Sequence, residues 1–331
     1  MIEIATVGGI NVDCVVNADG AVACDQIGGN AVYAAVGARL WNSHVGIAGS
    51  VPRNYPADLL RQLRTSGVAT DGIAIVDADV ELQEWFFYRQ DGSRIDHLLA
   101  PPGAFAAAGL RPPLDAEASR RWQDALQADK PQGRGYGDFR RAHPVPALPR
   151  AYAAIAGLHL APYVASAQDG LAETGARFVT FDPSPALLAG SRARLDRLLA
   201  RIAAFLPSEK ELRLIDDNEP AVALSRLAER TPAIVAVKLG AAGSLIWDRV
   251  RGRAVAVPAV ATTVRDPTGA GDAWCGGFLA GLVAGDSPID AACRATVSAS
   301  FAVEGFGALH GLSADHHQAL DRFRALRGRI A

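Results

Sequence analysis

Short apolar runs alternate with segments of helical period along most of the chain. Six runs are long enough for buried strands and too short for core helices, and they cover residues 2–7, 44–51, 153–161, 177–183, 204–207 and 233–240. Other segments have helical spacing, and these lie near 29–41, 55–67, 163–175, 191–203 and 218–229. Strands that alternate with helices form mostly parallel sheets with helices on both faces. The pattern therefore predicts an α/β fold that binds its ligands at the carboxyl ends of the strands.

Two hairpin signals interrupt this alternation early in the chain. Asp19–Gly20 and Asp91–Gly92 each separate two short strand patterns, and an Asp-Gly pair in that position is a strong signal for a tight turn. We interpret about 11–27 and 80–99 as a small β-sheet lid over one end of the main sheet. Ordinary edge strands explain the same pattern equally well.

Residues 111–150 differ in composition from their surroundings. They contain eight Arg or Lys, five Asp or Glu, six Pro and three Gly. A helix fits 114–127, and the rest is typical of a long loop. We predict a long loop and helix insertion within a single domain that spans 1–331. Its basic side chains could meet substrate phosphates, although a solvated insertion is the favoured interpretation.

Composition excludes several classes of protein. The chain has 33 Lys and Arg against 35 Asp and Glu, so it has no global basic field for nucleic acid or an anionic membrane. Its four Cys show no CxxC pair or zinc spacing, as expected in a reducing cytoplasm. The chain opens on a strand pattern rather than a signal peptide, and no apolar run reaches the roughly 18–20 residues that span a bilayer. We expect a cytoplasmic protein with no nucleic-acid or membrane partner.

Residues 266–272, Asp-Pro-Thr-Gly-Ala-Gly-Asp, place a glycine-rich turn between two carboxylates. The segment is not a Walker A loop, because the sequence has no GxxxxGK(S/T) pattern. It is not a GxGxxG fingerprint either, because Trp274 stands where the third glycine belongs. The small-residue run that follows predicts a tightly packed helix. The amides of Gly269, Ala270 and Gly271 would then lie unshielded at its N-terminus, which attracts an anion, above all a phosphate.

Asp272 lies in the first turn of this predicted helix. Its carboxylate either complements the helix dipole or acts as a general base toward a substrate hydroxyl. Because a helix N-terminus favours the charged form, we expect Asp272 to stay ionised and to be a weak base at neutral pH. Phosphoryl transfer tolerates a weak base, since positioning supplies most of the catalysis. The turn and the acid together predict phosphoryl transfer to a hydroxyl.

Six segments, in order along the chain, resemble the PfkB family of carbohydrate kinases. The strongest match is 266–282, and the others are 8–13, 28–41, 205–212, 237–247 and 299–308. The resemblance implies a ribokinase-like three-layer αβα sandwich with a central, mostly parallel sheet and a small β-sheet lid. It also implies a phosphotransferase with an alcohol group as acceptor, which uses ATP and Mg²⁺ and in many relatives a monovalent cation such as K⁺.

The resemblance assigns roles to individual residues. Asp272 would be the catalytic base, and the amides of Gly269, Ala270 and Gly271 would form the anion hole. The substrate side would contain Asn11, Asp13, Gly28, Gly29, Asn30 and Tyr33, with Asp13 accepting hydrogen bonds from hydroxyls. The nucleotide side would contain Lys238, Gly240, Gly243 and Thr268. Glu211 and Ser208 would hold Mg²⁺ through its water shell, and Asp266 would adjoin a monovalent-cation site.

Without the family, these residues have ordinary interpretations. Asp13 fits a turn, Glu211 fits the surface of a helix, and Lys238 fits the solvated end of a strand. Two positions also depart from the family pattern. Tyr33 stands where many sugar kinases have Asn, which weakens the case for ribose and simple hexoses, and Ser208 replaces the commoner Asn of the magnesium segment but still offers an oxygen.

We therefore predict an ATP-dependent kinase that phosphorylates a hydroxyl of a small sugar, sugar acid or polyol. The first alternative is a nucleoside kinase of the same fold, because Tyr33 and the aromatic run 85–88 could stack on a base; packing within the lid explains the same rings. The second alternative is a non-catalytic ligand-binding relative. Exposed sheet edges invite pairing, so we also expect that two copies could form a homodimer through the lid.

Overall fold

A computed structural model describes residues 1–80, 83–90, 92–96, 139, 142–143, 147–162 and 174–330. The insertion at 111–150 and the helices expected near 114–127 and 163–175 lie wholly or almost wholly outside the described residues. In chain order the strands are β1 (Ile4–Val7), β2 (Asn11–Val16), β3 (Val22–Gly28), β4 (Val45–Pro52), β5 (Ala69–Val76), β6 (Gln83–Tyr88), β7 (Arg94–Asp96), β8 (Gly157–Leu160), β9 (Phe178–Phe181), β10 (Ala204–Phe205), β11 (Ile234–Lys238), β12 (Ser244–Asp248) and β13 (Arg253–Val257).

The described helices lie between and after these strands. They are α1 (Asn30–Arg39), α2 (Ala57–Thr65), α3 (Pro185–Leu188), α4 (Arg192–Leu199), α5 (Glu209–Arg213), α6 (Pro220–Arg230), α7 (Ala270–Val283), α8 (Pro288–Ala302) and α9 (His316–Arg327). Short 3-10 turns cover Arg150–Tyr152, Gly240–Ala242 and Ala308–Leu312.

Nine strands form one large sheet in the order β13-β12-β11-β10-β9-β8-β1-β4-β5. Every pairing from β11 to β5 is parallel, whereas β12 and β13 add to one edge in antiparallel fashion. The carboxyl ends of the parallel strands therefore meet at one edge of the sheet, where ligands bind in such folds. Each of the six runs that predicted strands overlaps one.

Helices cover both faces of the large sheet. On β1, Ile4 packs in the same cluster as residues of α1 and α2, whereas Ala5 and Val7 pack in the cluster that contains residues of α4 and α6. Side chains of β10 and β11 divide in the same way, with Ala204 and Ala236 beside α7 and α8. Successive side chains of a strand point to opposite faces, so this division shows three layers. The prediction of an α/β, three-layer αβα sandwich is confirmed.

The two hairpin signals build a second, four-stranded sheet with the order β3-β2-β6-β7. Strands β2 and β3 pair in antiparallel fashion, as do β6 and β7, and β2 pairs with β6 in parallel. The pairs therefore join into a sheet of their own and do not extend the edge of the large sheet. We keep the name small sheet for these four strands.

Helices α1 and α7 touch through their backbones. A Cβ on Gly37 would lie 2.0 Å from the carbonyl oxygen of Ala273, and one on Gly276 would lie 1.8 Å from that of Ala34. The small residues of both helices permit this approach. As a result, the beginning of α7 lies against residues of α1, which matters for the site described next.

Candidate active site

The first turn of α7 is open. Gly269 is its N-cap, with a φ of 71° that favours glycine. Its glycine N-cap has no side chain to cap this helix end, and residues 269–272 all reach the surface in part. Leading amides without a side-chain cap can receive an anion. The turn therefore has the geometry that the sequence predicted for it.

The acid in this turn differs electrostatically from the prediction. Burial by surrounding protein raises the pKa of Asp272 to about 6, while Lys238 and Arg94 act in the opposite direction. The expectation of a weak base was wrong, because the loss of water around the carboxylate outweighs the helix dipole. Asp272 is still largely ionised at neutral pH, and it holds a proton more readily than an exposed aspartate.

Lys238 lies beside the same turn. A Cβ on Gly271 would lie 3.7 Å from its Cδ and 3.8 Å from its Nζ. The side chain is only 11% exposed, and Nζ donates to Asp182 Oδ2 at 2.6 Å. The structure thus excludes the solvated strand-end interpretation and puts a buried cation next to the leading amides of α7.

Ser208 and Glu211 form a capping box at the start of α5. Glu211 Oε2 accepts from both the amide and the hydroxyl of Ser208, at 2.7 Å each. Ser208 also pairs with Lys238 in an isolated parallel bridge. The Ser208 hydroxyl, expected to offer an oxygen to Mg²⁺, is therefore engaged with Glu211, which it orients beside the lysine.

Asp13, Gly28 and Tyr33 are packed together where the small sheet meets α1. Asp13 is 1% exposed, and a Cβ on Gly28 would lie 1.8 Å from Asp13 Oδ2, so only glycine fits there. The hydroxyl of Tyr33 donates to Asp13 Oδ2 at 3.3 Å. Burial, followed by the charge of Asp13, raises the pKa of Tyr33, which keeps the phenol protonated as the donor.

The two asparagines of the predicted substrate side have different surroundings. Asn11 is buried and donates to Glu84 Oε2 across the small sheet. Asn30 instead bonds main chain at both ends of its amide: Oδ1 accepts from Gly9 N at 2.7 Å, and Nδ2 donates to Pro162 O at 2.5 Å. The structure therefore ties Asn30 to two loops. Gly29 is the N-cap of α1.

The small sheet is joined to the segment that precedes α7. Tyr88 Oη and Thr268 Oγ1 share a hydrogen bond of 2.8 Å, and Asn17 donates to the carbonyl of Arg265. The amide of Thr268 donates to Asp266 Oδ1 at 2.9 Å. Asp266 is 1% exposed, and its burial raises its pKa. The carbonyl of Val303 accepts hydrogen bonds from the amides of Arg265 and Asp266, so the backbone at 303 lies beside Asp266.

Gly240 and Gly243 shape the turn between β11 and β12. Both have positive φ, and Gly243 packs so closely on Val257 O that a Cβ there would lie 2.2 Å away. The amide of Leu239 closes the turn onto the Gly243 carbonyl at 2.8 Å. The turn follows Lys238 directly, at the carboxyl end of β11.

Three residues of this region were not predicted from the sequence. Asp182 follows β9 directly and pairs with Lys238; its position just after an apolar strand was the signal that could have found it. The guanidinium carbon of Arg94 lies 4.7 Å from the centre of the Phe86 ring. Its positive charge acts to lower the pKa of Asp272. Glu84 stands opposite Asp13 in the register of β2 and β6. Strand register, which sequence does not show, was needed for the last two.

Contacts connect these groups into one site. Asp13 bonds Tyr33, whose ring lies against Gly269, and Gly271 of the same turn lies against Lys238. Open amides, a buried cation and an acid with a raised pKa, gathered at the carboxyl ends of parallel strands, are the parts that phosphoryl transfer to a hydroxyl needs. Fold and site thus define the class of a phosphoryl-transferring α/β enzyme.

A family model matches the second half of the chain. Residues 152–315 match the family model described as pfkB family carbohydrate kinase. The match spans four of the six segments that resemble the family and confirms the resemblance, and PfkB family kinases are phosphotransferases, as the sequence predicted.

Two curated proteins illustrate the similarity. An uncharacterized sugar kinase of Archaeoglobus fulgidus is 34% identical over 134 residues, which cover 40% of this chain and only 53% of that protein. The cytidine kinase of Thermococcus kodakarensis is 25% identical over 292 residues, which cover 86% of this chain and 90% of that protein.

Solved structures show the same fold at low identity. Ribokinase from Cryptococcus neoformans superposes with a TM-score of 0.69 at 18% identity, covering 97% of this chain and all of that one. The nucleoside kinase from Burkholderia thailandensis gives a TM-score of 0.70 at 17% identity, covering 99% of this chain and 97% of that one. The ribokinase-like fold is thereby confirmed.

The described residues show neither a metal-binding cluster nor a membrane-spanning helix. They contain no group of three or more His, Cys, Asp or Glu that could hold a metal ion. Among them, no helix has both the length and the apolar composition that crossing a bilayer requires.

Proposed function

We propose that this protein is an ATP-dependent kinase that transfers the γ-phosphoryl group to a hydroxyl of a small sugar, sugar acid or polyol. One observation carries the proposal: the uncapped first turn of α7 contains Asp272 and has Lys238 packed against it. Donors that are fixed in advance where charge develops are a major source of catalysis. Phosphoryl transfer to a small molecule uses the open amides, the acid and the cation together.

In this proposal Asp272 aligns the attacking hydroxyl and accepts its proton as the new bond to phosphorus forms. The amides of Gly269, Ala270 and Gly271 stabilise the charge on the transferring group, and Lys238 adds a full positive charge beside them. A pKa of about 6 suits a group that must be ionised at neutral pH and yet accept a proton.

We place the acceptor between the small sheet and α7. Asp13 would accept hydrogen bonds from its hydroxyls, with Gly28 and Gly29 leaving room and Asn11 bordering the same face. The hydroxyl of Tyr33 fixes one oxygen of Asp13. Tyr33 therefore acts on the substrate through Asp13 rather than as a ring that stacks on it.

The nucleotide would lie on the other side of Lys238, along Gly240 and Gly243, and Thr268 would contribute from the segment before the open turn. Glu211 fits a Mg²⁺ ion that arrives with ATP, because Mg²⁺ keeps several waters and needs few protein carboxylates besides the phosphates. Ser208 occupies only Oε2 of Glu211. Bound there, the ion would neutralise charge on the phosphate oxygens.

A substrate panel tests this function. The full chain is incubated with ATP, Mg²⁺ and a set of sugars, sugar acids, polyols and nucleosides, and ADP formation is measured together with the phosphorylated product. We expect ADP formation that depends on one chemical class. If compounds raise the melting temperature but none is phosphorylated, the non-catalytic alternative replaces this proposal.

A nucleoside kinase is the second candidate, favoured by the similarity of the Thermococcus cytidine kinase over most of both chains. The aromatic run argues against base stacking. Trp85 and Phe87 are buried against each other, Arg94 covers Phe86, and Tyr88 is bonded to Thr268. Thermal shifts decide between the two, since a ligand stabilises the state that binds it: nucleosides would raise the melting temperature only in the second case.

Three further features belong to the proposal. The small sheet serves as a lid over the acceptor, and its edges pair two copies into a dimer. The buried Asp266, beside the backbone of 303, borders a monovalent-cation site. Light scattering that shows only monomer at micromolar concentration contradicts the dimer, and turnover that is equal with and without K⁺ contradicts the cation site.

A further inference from the structure

Asp182 and Lys238 form a buried ion pair at the carboxyl ends of neighbouring parallel segments. Their side chains are 5% and 11% exposed, and Nζ lies 2.6 Å from Oδ2. Burial raises the pKa of Asp182, and Lys238 partly offsets this. Burial alone lowers the pKa of Lys238, but the carboxylates around it, Asp182 foremost, raise it. The lysine is therefore kept charged in a place with little water.

The pair is turned toward α7. Cys275, one turn into that helix, lies 3.4 Å from Nζ and 3.6 Å from Asp182 Oδ2 through its sulfur. Gly271 packs on the end of the lysine side chain. The ammonium is thus held between Asp182 and the turn that carries Asp272.

The second oxygen of Asp182 indicates that the acid is not simply part of a satisfied core. Oδ1 is buried and has no hydrogen-bond partner in the described part of the chain. Buried polar atoms nearly always find a partner, and leaving one without is costly. Burial of Asp182 therefore costs free energy at this place, and its ion pair with Lys238 offsets part of that cost.

The other charges near Lys238 show why it needs a holder. Glu211 and Asp272 both act on this region electrostatically, and Arg94 acts on Asp272 from the small sheet. Without Asp182, these two carboxylates would be the remaining acidic partners for the ammonium among the described residues, with the Cys275 sulfur as a weak neutral one. A direct pair with Asp272 would occupy the base and remove the cation from the phosphate position.

We propose that Asp182 is a positioning residue that holds the Lys238 ammonium beside the first turn of α7, where it meets the transferring phosphoryl group, and keeps it from pairing with Asp272. The proposal rests on the kinase function proposed above. Asp182 itself touches neither substrate nor nucleotide in this role. The function depends on its charge and not on its shape.

Asp182→Asn tests the role, because Asn keeps the shape and removes the charge. We expect kcat to fall at least about tenfold with little change in KM for the acceptor. We also expect the acid limb of the kcat profile to move to lower pH, since a lysine freed from Asp182 stabilises ionised Asp272 more strongly. A purely structural role would lower the melting temperature and leave the limb in place, which would overturn the proposal.

A double variant covers the case in which an unpaired buried lysine prevents folding. Lys238→Met with Asp182→Asn carries neither charge and is compared with Lys238→Met alone. Because Asp182 acts only through the lysine, we expect equal kcat values, and a further fall of tenfold in the double variant would overturn the proposal. If the wild-type protein turns over no compound of the substrate panel, both the kinase function and this role of Asp182 are contradicted. If the wild type is active and the acid limb of the Asp182→Asn profile does not move, only the role of Asp182 is contradicted.

Discussion

The ring of Tyr33 occupies the space beside the α-carbon of Gly269. A Cβ at residue 269 would lie 2.1 Å from Cγ and Cδ1 of the ring, and the hydroxyl of the same tyrosine reaches Asp13. One side chain therefore spans from the proposed hydroxyl reader to the proposed anion hole. The shape of the first turn of α7 depends on this contact as well as on its own glycines.

Gly269→Ala should damage the site in two ways, by the clash with Tyr33 and by strain at a positive φ. We expect a fall in kcat of at least about 100-fold and a lower melting temperature. Gly285→Ala is the matched control, because Gly285 follows the other end of α7 with a φ of 86°, and no atom of the described residues lies within 4 Å of an added Cβ. The control should lose some stability and keep its turnover. Equal effects of both substitutions on kcat would contradict the account of the turn.

Tyr33→Phe removes only the hydroxyl that fixes Asp13 and leaves the ring against Gly269. We expect KM for the acceptor to rise several-fold, because Asp13 loses its orienting donor, while KM for ATP and the melting temperature change little. Steady-state kinetics with each substrate varied in turn measures this. A rise in KM for ATP instead would contradict the placement of Tyr33 on the acceptor side of the site.

The pH dependence follows from Asp272. Its carboxylate must be ionised to accept a proton, so kcat should fall about tenfold per pH unit below about pH 6, where burial places its pKa. Stability changes in the other direction. Between about pH 4 and 6 the native state keeps a proton that the unfolded chain releases, so this group destabilises the protein as pH rises. A profile of kcat that is flat down to pH 4.5 would exclude Asp272 as the base.

Glu211→Gln should raise the Mg²⁺ concentration needed for half-maximal activity. The amide keeps an oxygen for the capping box and loses the charge that attracts the ion. Ser208→Ala is the companion variant: it loses the cap and keeps the carboxylate, so it should lower the melting temperature more than it changes the Mg²⁺ requirement. If Glu211→Gln needs the same Mg²⁺ concentration as wild type, Glu211 has no part in binding the ion.

The sequence was most informative where a local pattern determines the structure. Each predicted parallel strand is present, and the turn at 266–272 is recognisable because glycines and a helix start lie within seven residues. Strands β5, β12 and β13 were missed. All three lie toward the edges of the large sheet. Strand β5 contains the Asp71–Gly72 pair and an exposed Ile75, so it lacks the continuous apolar run of a central strand.

Properties that depend on tertiary packing could not be predicted in this way. The pKa of Asp272 was placed too low because burial is set by the surrounding elements, not by the helix that carries it. Arg94 and Glu84 join the site only through the strand register of the small sheet. The family resemblance assigns Asn30 to the substrate side. Its hydrogen bonds with the backbone of Gly9 and Pro162 could not be predicted, because they depend on how the loops pack.

The turnover of Asp272→Asn, measured with the substrate found in the panel, tests the central claim most directly. Asn keeps the size of the side chain and removes its basicity, so folding and the thermal shift caused by nucleotide should persist. We predict that kcat falls by at least about 100-fold. An unchanged kcat in a folded, nucleotide-binding variant would contradict the claim that this acid and the open turn beside it carry out phosphoryl transfer.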